Sequence, residues 1–509
     1  MKLSELLFEG EYVSSHQPSE IDIGTICHNT RQALCGNLFV CIKGIHYDGH
    51  CFGEYIGEQG ASAIIVEEGC SFHTAPHVPV FAVKDSRATF ATLWHRFCGS
   101  PGDQLKIIGI TGTNGKTSTA YMIHKMLCEA KVNSAFIGTI GCYMKETPLS
   151  IPFTEEQNQR LDTMTTPDPD LLYPLMQKMV EEGATHLVME VSSHALALKK
   201  CHPLTFEVSL FTNLSSEHMD FHSSIEEYAQ TKSILFKKSN IGIFNADAQT
   251  ADIIMAQASC QVLTCSAVHG GDFFASRIQN NGMNGISYIL NSNYGRLSIS
   301  LQIPGTFSVY NSMLALAAAL TLGIKPFVVR KTLSDLKGVR GRMEKVDVGQ
   351  ADFAVLIDYA HTEAAMRHLL TTVRSFSTGK ERIVALFGCG GDRDATKRAA
   401  MGRCAYELAD FSIITTDNSR TENPAHIIMD ILKGYPSGDN RIVILNRKKA
   451  IEYAIATAQP HDIILLIGKG HETYELTDGE KKPFDERKIV AQAIKCKDST
   501  HTNIHSDEN

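Results

Sequence analysis

Residues 112–117 carry the strongest chemical signal in the chain. This glycine-rich segment consists of Gly112, Thr113, Asn114, Gly115, Lys116 and Thr117, and Ser118 follows it. Glycines let consecutive backbone N–H groups converge on a phosphate, a lysine neutralises its charge, and a threonine hydroxyl can bind Mg²⁺. The nearest upstream glycine, Gly109, lies one residue too far for the common phosphate-loop spacing. We predict a phosphate loop of a less common type rather than a tight turn with a solvated lysine.

Polar residues follow two further runs in the same part of the chain. The run 186–189 leads into Glu190, the run 208–211 leads into a polar segment that contains His218, and Lys232 lies on a predicted helix beyond it. Parallel α/β sheets bind ligands at the carboxyl ends of their strands, where a carboxylate can hold Mg²⁺. Glu190 is thus a candidate metal ligand, or alternatively a carboxylate that interacts with backbone donors at a helix start. From residue type and position alone, His218 would more often be a structural histidine and Lys232 a solvated lysine on a helix.

The elements that must position these residues follow an α/β pattern, in which short apolar runs alternate with helix-length segments. Residues 118–130 predict the helix after the phosphate loop. The order of strands and helices indicates a mostly parallel, doubly wound sheet in the middle of the chain and another open α/β sheet after it. The predicted strands are 38–42, 63–66, 80–83, 106–110, 186–189, 208–211, 241–244, 354–357, 383–387, 411–415, 441–445 and 463–467.

The chain has 509 residues, more than one hydrophobic core usually organises. We predict three α/β domains: a small N-terminal one at 1–100, a central phosphate-loop domain with a parallel sheet at 101–337, and a C-terminal Rossmann-like domain at 338–495. A turn at 100–102 separates the first two. Residues 496–509 are polar and predict a disordered tail.

Composition narrows the classes of partner. The net charge of -8 and the pI near 6.2 do not indicate the basic surface that nucleic-acid binding usually requires. The 14 cysteines are scattered and no apolar secretory core stands at the start, so we expect reduced thiols. The longest apolar stretches, such as 463–467 and 313–322, fall short of the roughly 20 residues that span a bilayer. The expectation is a soluble cytoplasmic protein without a membrane span.

Taken together, the motifs resemble those of the Mur ligases. That family carries a G-T-N-G-K-T/S loop with the same one-residue offset, an E-V-S-S-H segment, an N-L-x-x-D-H-L-D segment and a following Y-x-x-x-K. Here Glu217 and Met219 replace two residues of the third motif. The four motifs occur in this order at 112–117, 190–194, 213–220 and 228–232.

The resemblance implies an ATP-dependent amide ligase that uses Mg²⁺. It assigns catalysis to Lys116, Glu190, His218 and Lys232, and metal binding to Thr117, Glu190, His218 and a Lys232 that CO₂ has converted to a carbamate. A lysine ammonium would repel Mg²⁺, whereas its carbamate is an anionic oxygen ligand. ATP would contact residues 112–118 and also Asn311 and Arg342.

Within the family, the chain is similar to the MurE type. An N-T-R segment at 29–31 and a G-N-L-F-V stretch at 36–40 resemble the family's UDP-sugar domain, which implies a uridine site near Thr30, His46 and Tyr47. Lys200 stands where an arginine is usual. The positions that match precursor contacts are Thr165, Thr166, Ser192 and Lys200.

A D-N-S-R segment at 417–420 resembles the D-N-P-R motif of diaminopimelate-adding members, with Ser419 in place of proline. The fork of Arg420 can grip the additional carboxylate of diaminopimelate through two parallel hydrogen bonds. Glu472 would receive the distal ammonium. The implied amino-acid contacts are Arg393, Asp417, Asn418, Ser419, Arg420, Gly468 and Glu472.

The resemblance therefore implies addition of meso-diaminopimelate to the D-glutamate of UDP-MurNAc-L-Ala-D-Glu through an acyl phosphate, in peptidoglycan precursor synthesis for cell-wall growth, cell shape and division. Its partners would be these small molecules and ATP, and we expect a monomer. L-Lysine as the amine is one alternative. A folylpolyglutamate-synthase-like ligase is another, and it should lack the UDP domain and the D-N-x-R segment. A non-catalytic nucleotide-binding homologue is a third, which loss of the catalytic residues would have supported.

Overall fold

The computed structural model describes residues 1–504 except 33–34, 45–46, 75–76, 216–220, 378, 437 and 439, and only the backbone of 498–504. The described residues form three β-sheets with associated helices and a separate two-stranded hairpin. This is the α/β architecture that the alternation of apolar runs predicted. Each predicted strand coincides with an observed one. No helix in the described part is long and apolar enough to cross a membrane.

The N-terminal sheet is small and parallel, with its strands in sequence order. Both of its faces are covered: Val40 and Ile65 pack into the core on one side, and Phe39 and Ile64 pack on the other. Strands buried on both faces read as continuous apolar runs, which is why they are visible in the sequence. The elements are β1 (Ile26–Cys27), β2 (Leu38–Val40), α1 (Gly53–Glu58), β3 (Ala63–Glu67), β4 (Val80–Val83) and α2 (Ser86–Phe97).

The central sheet has eleven strands. Its elements are β5 (Lys106–Thr111), α3 (Lys116–Glu129), β6 (Ser134–Gly138), β7 (Gly141–Met144), β8 (Thr147–Pro148), α4 (Glu155–Asp162), α5 (Pro169–Glu181), β9 (His186–Glu190), α6 (Ser193–Ala197), β10 (Phe206–Phe211), α7 (Ile225–Phe236), β11 (Ser239–Asn245), α8 (Ala251–Met255), β12 (Gln261–Ser266), β13 (Phe273–Asn280), β14 (Ile286–Ser292), β15 (Gly295–Leu301), α9 (Phe307–Thr321) and α10 (Pro326–Asp335). The strand order is β15-β14-β13-β12-β11-β10-β5-β9-β6-β7-β8.

The parallel register of this sheet brings polar strand ends together. β5 lies between β9 and β10, with Ile110 opposite Glu190 and Thr111 opposite Phe211. The loop after β5 and the residues after β9 and β10 therefore meet at one carboxyl edge, where α/β sheets bind ligands. Antiparallel β7 and β8 extend the sheet beyond β6.

The C-terminal sheet is parallel except for its edge strand β16, which runs antiparallel to β17. Its order is β16-β17-β21-β18-β19-β20, and β22 and β23 form the separate hairpin. The elements are β16 (Glu344–Val346), β17 (Ala354–Asp358), α11 (Glu363–Phe376), β18 (Ile383–Phe387), α12 (Thr396–Leu408), β19 (Phe411–Ile414), α13 (Pro424–Lys433), β20 (Arg441–Val443), α14 (Arg447–Ala456), β21 (Ile463–Ile467), β22 (Tyr474–Thr477), β23 (Glu480–Pro483) and α15 (Glu486–Ile504).

The last helix differs from the sequence-based expectation. Residues 496–504 continue α15, whereas their polar composition predicted a disordered tail. The first turns of α15 bury Ile489, Val490 and Ile494 in the core of the C-terminal sheet. A helix that packing has nucleated can extend over polar residues, because each added residue then contributes a backbone hydrogen bond.

The chain forms two compact units. The first comprises Met1–Phe274, Ser292–Tyr294 and Asn311–Val329, and the second comprises Ala275–Asn291, Gly295–Tyr310 and Arg330–Asn509. The first unit holds the N-terminal sheet and the phosphate loop, and the second holds the C-terminal sheet.

Candidate functional site

The phosphate loop joins β5 to α3 and is fixed by the segment after β10. Gly112 and Gly115 have φ angles of 143° and 85°, which residues with a side chain rarely adopt. The N–H groups of Thr113 and Asn114 donate to the backbone oxygen and the Oδ1 of Asn213, at 2.8 and 2.9 Å. The first N–H groups of α3 have no partner within the helix, which is the arrangement that binds anions.

Lys116 begins α3 and folds back over this loop. Its Nζ donates to the carbonyl oxygens of Gly112 at 3.0 Å and Thr113 at 2.8 Å. Asn311, on α9, lies against the other end of the loop, because a Cβ added at Gly115 would stand 3.2 Å from the Asn311 Cγ. The structure thus groups Lys116 and Asn311 around the loop.

Glu190 is fully buried at the end of β9, where its carboxylate accepts hydrogen bonds from two threonines. Its carboxylate accepts the Thr117 hydroxyl at 2.9 Å, the Thr139 N–H at 2.8 Å and the Thr139 hydroxyl at 3.2 Å. A carboxylate and a hydroxyl in contact, next to a phosphate loop, are the hard oxygen ligands that Mg²⁺ prefers. The residues present therefore fit a magnesium ion.

Lys232 is buried on α7 beside the same loop. Its Nζ donates to the Gly112 carbonyl at 3.0 Å and lies 4.4 Å from the centre of the Tyr228 ring, on which His222 stacks at 4.6 Å. His218 lies outside the described residues. Among those that are described, no three histidine, cysteine or acidic side chains form a metal-binding group.

The predicted precursor contacts form a chain that adjoins Glu190. The Thr166 hydroxyl donates to the Glu190 backbone oxygen at 2.9 Å and accepts the Ser192 N–H at 3.0 Å. The Thr165 and Thr139 hydroxyls are 3.2 Å apart. Lys200 pairs with Asp168 at 2.7 Å and donates to the Thr166 carbonyl at 3.3 Å.

The predicted uridine contacts lie in the N-terminal region. Thr30 is half-buried in a short 3₁₀ helix, Thr30–Gln32, and Tyr47 is 76% exposed. His46 lies outside the described residues. In the described part of the chain, no hydrogen bond or ion pair joins Thr30 or Tyr47 to the group around Glu190.

A second cluster lies at the carboxyl edge of the C-terminal sheet. Asp417 and Asn418 follow β19, and Gly468, Lys469 and Glu472 follow β21. The Asn418 Nδ2 donates to Glu472 at 2.8 Å, and its Oδ1 accepts from the Lys469 ammonium at 2.8 Å. Gly468 has a φ of 117°, and a Cβ there would stand 2.7 Å from Asp417 Oδ2. Only glycine suits that position.

Arg420 and the hairpin complete this cluster. The Arg420 Nη1 donates to the Gly391 carbonyl at 2.7 Å, and the Arg420 N–H donates to the Leu476 carbonyl at 3.0 Å in the β22–β23 hairpin. Leu476 in turn donates its N–H to Asn418 Oδ1 at 2.9 Å. Arg393 is exposed in the loop after β18. Ser419 is buried between Asn418 and Arg420.

Burial and charge set the ionisation of the two carboxylates. Burial first, and then the Asp417 carboxylate, raise the pKa of Glu472 to about 7. Burial also acts to raise the pKa of Asp417, but the charges of Lys469 and Arg447 outweigh it and lower that pKa. The cluster therefore offers a negative charge at Asp417 and a titratable carboxyl group at Glu472.

Arg342, the remaining predicted ATP contact, belongs to the second compact unit. Its guanidinium carbon lies 5.2 Å from the centre of the Tyr359 ring, which also lies 4.8 Å, between ring centroids, from each of His361 and His471. Such stacking holds a guanidinium in place while leaving part of it able to contact a ligand.

Comparison with known proteins decides the family. Residues 110–319 match the Mur ligase middle domain, and residues 341–470 match the Mur ligase glutamate ligase domain. The chain belongs to the Mur ligase family. These two matches contain both clusters described above, apart from Glu472 and the hairpin.

Full-length relatives extend the Mur ligase match beyond the two domains. The chain is 39% identical over 496 residues to the UDP-N-acetylmuramoyl-L-alanyl-D-glutamate–2,6-diaminopimelate ligase of Caldanaerobacter subterraneus, covering 97% of this chain and 99% of the relative. A solved structure of a ligase with the same description is 27% identical, with a TM-score of 0.67 over 98% of this chain and 99% of that one.

A folylpolyglutamate synthase of Mycobacterium tuberculosis shares the Mur ligase fold. It is 18% identical, with a TM-score of 0.60, and covers 75% of this chain and 92% of its own. At this identity the likeness concerns the fold alone.

Three charged residues near the Mur ligase clusters were missed by motif reasoning. Lys469 follows Gly468 and Asp168 lies two residues after Thr166, but only their ion pairs in the structure show what they contact. Arg447 had no sequence signal beyond standing after a strand. It is fully buried, pairs with Glu486, and donates to the carbonyls of Thr416 at 3.2 Å and Ile467 at 3.0 Å.

Proposed function

We propose that this Mur ligase is of the MurE type and joins meso-diaminopimelate to the D-glutamate of UDP-MurNAc-L-Ala-D-Glu in peptidoglycan precursor synthesis, in the cytoplasm. The observation that carries the proposal is full-length identity of 39% to a diaminopimelate ligase, in a chain whose acidic and arginine residues cluster after β19 and β21. The proposed domains are 1–100 for the uridine nucleotide, 101–337 for ATP and 338–495 for the amino acid.

The chemistry begins with a poor electrophile, because the charge of a carboxylate repels nucleophiles. An oxygen of the D-glutamate side chain attacks the γ-phosphorus of ATP, the bond to the β-phosphate oxygen breaks, and ADP leaves. The amine of diaminopimelate then attacks the acyl phosphate carbon and expels phosphate, with loss of a proton. Lys116, above the loop, offsets charge on the transferring phosphoryl group.

Glu190 and Thr117 are the residues we propose to hold Mg²⁺, together with His218 and a carbamate formed on Lys232. Bound Mg²⁺ would supply charge neutralisation at the phosphates. Lys232 supports the assignment through its position, since its amine lies 3.0 Å from the carbonyl of the first loop glycine. A carbamate there would place anionic oxygens beside the phosphate loop.

The reaction class has a direct test. Purified protein is incubated with ATP, Mg²⁺ and precursor whose D-glutamate carboxylate carries ¹⁸O, with and without meso-diaminopimelate. We expect ADP, and phosphate that contains ¹⁸O, formed in an amine-dependent manner. Release of AMP and pyrophosphate would contradict an acyl phosphate, and the absence of amine-dependent turnover would favour the non-catalytic alternative.

A pair of variants ties this turnover to the phosphate loop. Lys116→Met should abolish labelled phosphate release, because the transferring phosphoryl group loses its neutralising charge. Lys106→Met serves as the matched control, since Lys106 is exposed at the opposite end of β5. Equal activities in the two variants would show that Lys116 of the loop is not needed for the reaction.

A further inference from the structure

The amino-acid cluster contains a lysine that is completely enclosed. The side chain of Lys469 is 0% exposed. Its ammonium donates to Asn418 Oδ1 at 2.8 Å and to the Tyr474 carbonyl at 3.0 Å, and it lies 5.4 Å from the centre of the Phe484 ring. Because the ammonium is enclosed by protein groups, it can influence a substrate only through its neighbours.

Two carboxylates share this ammonium. Asp417 Oδ1 lies 3.5 Å from the Lys469 Nζ, and Glu472 Oε2 lies 4.0 Å from it. Two neighbouring buried carboxylates disfavour each other's ionised form unless a cation compensates them. Removing one partner of such a buried group leaves an uncompensated charge in the protein interior, which lowers the stability of the folded state.

The same ammonium fixes the orientation of an amide. Asn418 presents its Oδ1 to Lys469 and to the Leu476 N–H, so its Nδ2 must face Glu472, to which it donates at 2.8 Å. A lysine ammonium has only donors, so it cannot accept from the Nδ2 of a flipped amide. Lys469 therefore compensates the charge of the two carboxylates and fixes which way the Asn418 amide points.

We propose that Lys469 is a positioning residue of the amino-acid site, whose charge lets Asp417 and Glu472 stand together as receptors for an ammonium group of the incoming amino acid. This inference rests on the proposed function, because it assigns a role within the diaminopimelate site. Lys469 itself does not touch the substrate.

The pH dependence of binding follows from this arrangement. With a pKa raised to about 7, Glu472 is half ionised near neutral pH, and its ionised form attracts the substrate ammonium. The apparent affinity for diaminopimelate should therefore rise as pH rises through this value. Glu472 and Asp417 act on each other, and the other charged and titratable groups that interact with them include Lys469, Arg420, Arg447, Tyr359, His361 and Cys389.

The test measures kcat and the KM for meso-diaminopimelate across neutral pH in wild type and Lys469→Met, which keeps most of the volume without the charge. We expect the KM of the variant to rise about 10-fold or more at neutral pH, and the midpoint of its pH dependence to move up by about one unit. The KM for ATP should stay unchanged. Lys448→Met, which alters an exposed lysine of α14, is the matched control.

A charge-balanced variant separates electrostatics from packing. Lys469→Met combined with Asp417→Asn removes one charge of each sign near Glu472, so the pH midpoint should return to within about half a unit of the wild-type value. KM is expected to stay high, because Asp417 is itself a predicted contact. If Lys469→Met fails to fold, this double variant should still fold and carries the test.

The proposal would be overturned if the pH dependence of KM had the same midpoint in Lys469→Met as in wild type. The loss of a purely structural lysine would change stability or kcat without shifting that midpoint. A double variant that keeps the shifted midpoint, or that also fails to fold, would overturn it too. Absence of diaminopimelate-dependent turnover in the wild-type protein would instead refute the proposed function, so the two failures are distinguishable.

Discussion

At the scale of single residues, Lys232 offers a test that an ordinary lysine would fail. Lys232→Ala should be nearly inactive, because it removes the amine that would carry the carbamate. Small carboxylic acids should partly restore turnover by supplying an oxygen ligand beside the loop. Phosphate release is measured with and without formate or acetate. Lys237→Ala, at the exposed end of the same helix, is the control, and wild-type-like activity in Lys232→Ala would rule out the assignment.

Arg420 decides the expected preference for diaminopimelate over L-lysine. These amines differ chiefly by one carboxylate, which the guanidinium can bind. Arg420→Ala should lose roughly 2–5 kcal/mol with diaminopimelate, which is about 30-fold to several-thousand-fold in kcat/KM. Activity with lysine should change far less. Arg403→Ala, in an exposed pair on α12, is the control. A wild type that prefers lysine, or a variant that loses nothing, would refute this role.

Motif reasoning located residues that the structure brings together, and it missed those whose roles depend on enclosure. Thr117 and Glu190 were both singled out, and they share a hydrogen bond. Lys469 and Arg447 were not assigned, because a lysine or arginine in a sequence is most often a solvated surface residue. Only the fold shows that both are enclosed by carboxylates and carbonyls. Roles that depend on His218 stay predictions.

At the scale of secondary-structure elements, most parallel strands could be predicted, although β1, β6 and β12 were missed. The antiparallel strands β7, β8, β16, β22 and β23 could not be predicted. β18 and β21 are buried along their whole length and read as apolar runs. β8 and β23 are exposed throughout, and β23 has the sequence E-K-K-P, which carries no strand signal. Hairpin and edge strands form from backbone pairing with a neighbour, and that neighbour is not visible in a local sequence window.

Arg447 connects the elements that carry the amino-acid cluster. It donates to the carbonyls of Thr416, two residues after β19, and Ile467, the last residue of β21, and it pairs with Glu486. Arg447→Met should lower the free energy of unfolding by about 3–5 kcal/mol, because it leaves Glu486 as an uncompensated buried carboxylate. Adding Glu486→Gln should recover part of this loss. Urea unfolding measures both, and a double variant less stable than Arg447→Met would contradict the charge argument.

At the scale of the whole molecule, the chain's one tryptophan makes the two compact units separately observable. Trp94 is buried in the first unit, whereas Arg447 belongs to the second. Proteins of several units need not unfold in one step. Arg447→Met should therefore lower a calorimetric transition while the transition followed by tryptophan fluorescence keeps its midpoint. Parallel shifts in both signals would mean that the units unfold together.

The hairpin of β22 and β23 limits which substitutions the amino-acid cluster can tolerate. Its Leu476 N–H is satisfied by the Asn418 side chain, and its Leu476 carbonyl accepts the Arg420 N–H. The 417–420 segment and the hairpin are thus structurally coupled through two hydrogen bonds. Replacing Asn418 by an apolar residue would remove the side-chain acceptor of a hairpin amide and one acceptor of the Lys469 ammonium, so a change at this position has consequences more than fifty residues away in the chain.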